Sequence, residues 1–325
     1  MAGHSEATVG AVDIVLTVFL AGTVILIAAD GSRRTQVGAY LSLGAVLSIV
    51  WLRLGVVDVA LAEAALGGGV LSGVLVWLAV ARPGAATQPV DEPPPTVPRR
   101  IRILTGLVTG TVLAVVLGSV ILRTRQTTPA WTGSLTAGMQ ATGVEHEITA
   151  VLLDFRAYDT LLESAVLLFA GIIVLAVGTD RPREGRQPVP LPSIALWFLR
   201  VAAPVFLMLG LWLLFAGSSG PGGAFQSGSV LAGLLILLRL AGVDLRMLHR
   251  LLVPLMIIGV VVFLGMGLFG PLAGDPWLTW PEGRQFMVIF IIEVFLTVGI
   301  TVALYALYLA LENPGHRISS REGRG

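Results

Sequence analysis

The chain has 325 residues, 55% of them hydrophobic and 13% charged, with a mean hydropathy of +0.87 and a net charge of +1. That balance lies outside the range of water-soluble domains, and near-neutral charge argues against nucleic acid as a partner, because phosphate binding needs a clustered basic surface. Cysteine is absent, and His4, His146, His249 and His316 neither share metal-ligand spacing nor sit inside an apolar run, so no metal, haem or other cofactor is expected.

The N-terminal segment to Asp13 holds His4 and Glu6 but no lysine or arginine. It therefore lacks the basic n-region of a secretory signal, and the first apolar segment is expected to remain a membrane span. In chain order, stretches long enough to cross a bilayer run at about 11–29, 37–52, 56–81, 101–121, 160–178, 194–215, 224–240, 249–270 and 286–310. The fold class is thus all-α, a polytopic membrane protein with about nine transmembrane helices. Nine crossings put the termini on opposite sides. All 21 basic residues are arginines. With the N-terminus outside, fifteen fall in inner segments and four, Arg53, Arg123, Arg125 and Arg284, in outer ones, leaving aside Arg156 and Arg200 at or inside span ends. Short cytoplasmic loops carry such an excess, which predicts a multi-pass protein of the cell membrane with a cytoplasmic C-terminus.

Two linkers rich in proline and arginine, 82–100 and 179–193, divide the chain into hydrophobic modules at 1–81, 101–178 and 194–312, followed by a tail at 313–325. Trp51, Trp77, Trp131, Trp197, Trp277 and Trp280 lie near span ends or in outer loops, where aromatic anchors meet the interface.

Each module carries carboxylates at membrane depth, where a charge costs several kcal/mol unless it is paired, protonated or hydrated. In the first, Asp58 stands at a helix start, and capping that helix is the plain alternative to an ion-path role. Glu63 lies further in, followed by Gly67, Gly68 and Gly69, which permit close approach of a neighbouring helix. In the second, Asp154, Arg156, Asp159 and Glu163 precede an apolar run. As a helix, Arg156, Asp159 and Glu163 share one face; an interfacial salt-bridge cluster is the alternative for Asp154 and Arg156, while Glu163 goes deeper. In the third, Glu293 lies about two turns into the last helix, where burial without a partner in this chain suggests a hydrated path or a facing subunit.

The third module also holds Gly220-Pro221-Gly222-Gly223-Ala224-Phe225-Gln226-Ser227-Gly228 between two spans. Its glycines allow tight, non-helical backbone that lies close to another chain or lines a cavity; a plain hairpin loop is the alternative. It is not a phosphate loop, because no Gly-Lys-Ser/Thr follows. No nucleophile with a neighbouring base, metal cluster or dinucleotide fingerprint is found, which disfavours an enzyme.

These strings together resemble the Mrp (Mnh) multisubunit Na+/H+ antiporter family and the membrane-bound hydrogenases that share its modules. Asp58-Val59-Ala60-Leu61-Ala62-Glu63 resembles the D-x-A-L-T-E signature of the MbhD-type module, with Ala62 in place of threonine. Leu153-Asp154-Phe155-Arg156-Ala157-Tyr158-Asp159-Thr160-Leu161-Leu162-Glu163 is similar to the V-D-F-R-G-F-D-T-x-G-E motif of the MbhE-type module, with Ala157 and Leu162 replacing its glycines. The glycine loop resembles the P-G-G-G-F-x-x-G loop of the MnhB subunit, and Glu293-Val294-Phe295-Leu296 the acidic string of its last helix.

The resemblance implies a fused MbhD-, MbhE- and MnhB-type subunit. Asp58, Glu63, Asp154, Arg156, Asp159, Glu163 and Glu293 would then be ion-translocation candidates, and Gly220, Pro221, Gly222, Gly223 and Phe225 a subunit-contact loop. The partners implied are other antiporter subunits, the lipid bilayer, and Na+ and H+ as transported ions. Large subunits of this family relay protons through intramembrane lysines, so a chain without lysine is expected to be one subunit and not a complete antiporter. A place in the membrane arm of a hydrogenase or related respiratory complex, or a purely structural assembly role, are the alternatives.

Overall fold

The computed structural model describes residues 10–29, 32–71, 73–76, 99–124, 138–139, 142–177 and 193–312. Among them the helices are α1 (Ala11–Ala29), α2 (Arg33–Arg53), α3 (Val57–Ala62) continued by a π-helical stretch (Glu63–Leu71), α4 (Arg99–Thr124), α5 (Glu147–Ala150) continued by a π turn (Val151–Phe155), α6 (Ala157–Val177), α7 (Ser193–Ala216), α8 (Ala224–Leu240), α9 (Arg246–Gly267), α10 (Phe269–Ala273) and α11 (Gln285–Glu312). A helix stands at each of the nine expected spans. Seven are long and apolar enough to cross a membrane, and the apolar stretches Leu104–Ser119 and Ala224–Leu240 are shorter. The protein is an all-α polytopic membrane protein. The linker at 179–193, Trp77, Trp131 and the tail from residue 313 lie wholly or almost wholly outside the described residues.

The chain forms two compact units, one of residues 1–80 and 142–325, the other of residues 81–141. In the smaller unit α4 is a single apolar helix with mostly exposed side chains, as suits a helix that meets lipid or another chain.

In the larger unit α1 packs on α2, α2 on the π-helical stretch, that stretch on α8, and α8 on α7 and α11; α9 and α6 close the other side of α11. The ends of α1 and α2 are joined by Arg53, whose Nε donates to Asp13 Oδ1 at 2.6 Å. Small residues set the helix spacing. A Cβ at Gly259 of α9 would lie 2.9 Å from Phe295 O, and one at Gly44 of α2 would lie 3.1 Å from the amide nitrogen of Gly68. Without a hydrophobic drive between helices in lipid, such backbone approach supplies the packing. Tyr305 and Tyr308 of α11, fully buried beside Met256, Leu252 and Ile236, fill the core. His249, in the first turn of α9, stacks on Tyr305, with Nε2 3.0 Å from its hydroxyl.

Trp280 departs from the interfacial role expected of it. It is 5% exposed and its Nε1 donates to Leu153 O at 2.8 Å, tying the segment before α11 to the π turn before α6. Indole satisfies its one donor on a backbone carbonyl and offers the rest of its area to packing.

Candidate ion-translocation site

The site is built around the glycine segment that turns α7 into α8. Gly223, at φ +105°, is the N-cap of α8, and its amide donates back to Leu213 O at 2.8 Å. A side chain at Gly217 would have its Cβ 2.5 Å from Gly223 Cα, so the two arms of the turn touch through backbone alone. Irregular backbone of this kind survives among membrane helices only where protein groups satisfy it.

Those groups come from the start of α3, from residues 145–149 and from the first turn of α8 itself. Gly222 donates its amide to Asp58 Oδ1 at 3.1 Å, and Gln226 Nε2 donates to Asp58 O at 3.4 Å. The amides of Glu145 and His146 both donate to Ser218 O, at 3.1 and 3.2 Å, and the Thr149 hydroxyl donates to Gly217 O. His146 Nε2 lies 3.3 Å from Asp58 Oδ2, and its Nδ1 lies 3.2 Å from Thr149 Oγ1. Asp58 is 7% exposed and makes no cap contact on its own helix, whose N-cap is Val56. The capping alternative therefore gives way to a tertiary one. Both oxygens of Asp58 are engaged, one by an amide and one by an imidazole.

Glu293 approaches the same turn from α11. It is 3% exposed; its Oε1 lies 3.0 Å from the Cβ position of Gly223 and 3.1 Å from that of Gly217. The Ala224 amide, in the first turn of α8, donates to its carboxylate, where the helix dipole favours negative charge. Its other oxygen, Oε2, is buried with no hydrogen-bond partner among the described residues. Glu293 thus packs inside this chain, against a loop of its own subunit. The two carboxylates differ in one respect that matters chemically: Asp58 is saturated, and Glu293 is open at one oxygen.

The remaining candidates lie elsewhere. Glu63 is half-buried, with its carboxylate folded back over the Gly67 position in the π-helical stretch. Arg156 and Asp159 form an ion pair one turn apart, half-exposed or more, and Glu163 is exposed further along α6. Of the loop residues, Gly222 and Gly223 are buried, Gly220 and Pro221 half-buried, and Phe225 is 39% exposed. His146, Thr149 and Gln226 join the site without having been singled out in the sequence. Their one signal is position: His146 and Thr149 shortly precede the Asp154 motif, and Gln226 follows the glycines.

Asp154 lies in the π turn, outside the membrane-spanning helices, and burial raises its carboxyl above the usual range. Folding therefore favours its neutral form. That contribution is complete below the unfolded value of about 4 and is lost as pH climbs through the raised folded value. Asp154→Asn is expected to raise the melting temperature of the purified protein at neutral pH, with much less gain near pH 4.

Residues 194–309 match the family model described as a domain related to the MnhB subunit of Na+/H+ antiporter. The B-type subunit of the Na+/H+ antiporter of Alkalihalophilus pseudofirmus is 33% identical over 84 residues, which are 25% of this chain and 58% of that protein. A chain in the structure of the Mrp complex from Dietzia sp. DQ12-45-1b shares the fold, with a TM-score of 0.72 and 22% identity over 94% of this chain and 35% of its own length. The chain thus spans a little over half of the curated relative and about a third of the structural one. Residues 194–309 are thus similar to the MnhB-related domain of Na+/H+ antiporters, and the chain as a whole shares the fold of a chain of an Mrp complex.

Proposed function

We propose that this chain is a membrane subunit of an Mrp-type cation/proton antiporter and that its carboxylates form part of the path for Na+ and H+. The observation that carries the proposal is Glu293, buried inside the helix bundle with one oxygen held by the amide of Ala224 and the other without a partner among the described residues. A carboxylate left half-open at membrane depth is costly in a purely structural role, whereas an ion or proton that comes and goes makes use of it. The match of residues 194–309 to the MnhB-related family model supports the same reading.

In this proposal the chain fuses MbhD-, MbhE- and MnhB-type modules at 1–81, 101–178 and 194–312, and its partners are the other subunits of the complex. Fifteen arginines against four support an N-terminus outside and a cytoplasmic C-terminus. In that orientation Asp58, His146 and the glycine turn lie toward the outer side. Glu163, exposed on α6, and Phe225 would face neighbouring chains.

Everted vesicles carrying the assembled complex test the proposal, with sodium-driven proton flux followed by a ΔpH-sensitive dye. Glu63→Gln and Glu163→Gln are each expected to reduce exchange by about tenfold or more while the complex runs intact on a native gel. Unchanged exchange in both variants removes these two carboxylates from the path. Loss of the complex itself assigns them to assembly.

A further inference from the structure

Two polar atoms of α11 are orphaned one turn apart. Glu293 Oε2 is one, and Thr297 Oγ1 is the other; both are buried, with no hydrogen-bond partner among the described residues. The threonine is the more informative of the two. Hydroxyls inside helices ordinarily bond the carbonyl four residues back, as Ser229 does to Phe225 O at 2.8 Å and Thr301 does to Thr297 O at 2.7 Å. Thr297 is 3% exposed and forgoes that bond. Residues four apart share a helix face, so the unused hydroxyl and the unused carboxylate oxygen stand on the same side of α11. Each buried, unpaired polar atom leaves its desolvation uncompensated. A pair on one face is most economically explained by a third species that bonds both.

The surroundings restrict what that species is. Glu293 Oε1 and Gln226 Oε1 both lie beside the Gly223 position, at 3.0 and 3.9 Å from a Cβ built there. The donors on offer are therefore hard oxygens, which suit alkali and alkaline-earth cations and not the softer transition metals. Only one of these groups is a carboxylate. The carboxylate of Asp58, on the same glycine turn, is already engaged by Gly222 and His146, so the local charge balances a monovalent cation and not a divalent one.

Among the described residues the other charged groups of the neighbouring helices are paired, exposed or remote from this point. On α6, Asp159 is tied to Arg156 and Glu163 is exposed. Arg246, His249 and Arg250 of α9, Arg239 of α8 and Arg200 of α7 lie toward the helix ends remote from the glycine turn, and Glu145, Glu147 and Arg284 lie outside the spans on its own side.

We infer that Glu293 and Thr297, backed by the glycine turn, form an exchange site that holds either one proton or one small alkali cation, with Glu293 Oε2 and Thr297 Oγ1 as its oxygen ligands. In the step, a cation enters as the carboxylic acid releases its proton, so that Glu–COOH plus M+ becomes Glu–COO−·M+ plus H+ and charge is conserved. The amide of Ala224 stays on the carboxylate in both states. Thr297 changes role: its oxygen ligates the cation, and the hydroxyl pairs with the protonated acid when the cation leaves. The inference rests on the antiporter reading and narrows it to two side chains.

Carbodiimide labelling of the purified, assembled complex tests the site directly, because dicyclohexylcarbodiimide modifies protonated carboxyls in apolar surroundings. Labelling near pH 6 in choline chloride, located by peptide mass, is expected on Glu293. Sodium chloride at about ten times the apparent Kd should lower that labelling about tenfold, with choline as the ionic-strength control. Thr297→Val should keep the labelling and shift the half-protecting sodium concentration upward by about tenfold. Absence of label on Glu293, equal labelling in sodium and choline, or wild-type protection in Thr297→Val overturns the site. Exchange measured on the same wild-type preparation separates the two levels. Active exchange with sodium-insensitive labelling overturns the site alone, whereas sodium-sensitive labelling without exchange overturns the antiport reading.

Discussion

Glu293→Gln is expected to bring sodium-driven proton flux in vesicles down to the background of vesicles lacking the complex, with the complex itself intact on a native gel. Glutamine has nearly the shape of the carboxylate and retains an oxygen for the Ala224 amide, so the turn keeps its contact. What it loses is the ability to bind and release a proton or to neutralise a cation. It also places an NH2 group where Oε2 has no partner, which costs about 1–3 kcal/mol, small enough for a helix as heavily buried as α11 to absorb. Glu293→Asp keeps the charge but withdraws it by one methylene from the amide, and an intermediate flux is the expected result. Flux unchanged in Glu293→Gln would exclude this residue from the path.

Gly217→Ala is expected to be strongly damaging for so small a substitution. The added Cβ would fall 2.5 Å from Gly223 Cα and 2.6 Å from Gly223 N, with Glu293 Oε1 at 3.1 Å. The first two are backbone atoms anchored by the Gly223 bond to Leu213 O, so no side chain can rotate away. The turn must open, and with it goes the carbonyl that accepts from Thr149. A loss of about 3 kcal/mol or more is expected, visible as a lower melting temperature or as failure to assemble. Gly220→Ala is the internal control. Its nearest neighbour is Ala216 O at 4.0 Å, and its effect should stay within about 1 kcal/mol.

The helices were legible because long apolar runs leave the backbone no other way to satisfy itself in lipid. The Glu293 burial was legible for the same reason, as a carboxylate inside such a run. What the residues did not disclose is who meets whom. For Asp58 the local pattern leaves a cap as the plain alternative, because acids near helix starts usually are caps; its partners, Gly222 and His146, come from far along the chain. Trp280 reads as an anchor from its place in a loop, yet its donor finds Leu153 O and pulls the ring inward. Thr297 is invisible to any pattern, since its significance is a bond that it does not make. Periodicity reports which solvent a residue faces, and polar pairing between distant segments has no period.

The bond between Asp58 and the Gly222 amide spans 164 residues, and this sets an order on the making of the protein. At about 5–20 residues per second of synthesis, Asp58 exists for roughly 8 to 33 s before the glycine that holds it has left the ribosome. The first helices must therefore tolerate an unmatched acid throughout insertion, and the bundle cannot lock until α7 and its turn arrive. The C-terminal helices act as the closing piece, so a chain that stops short of them is left with Asp58 waiting, a form suited to recognition by membrane quality control.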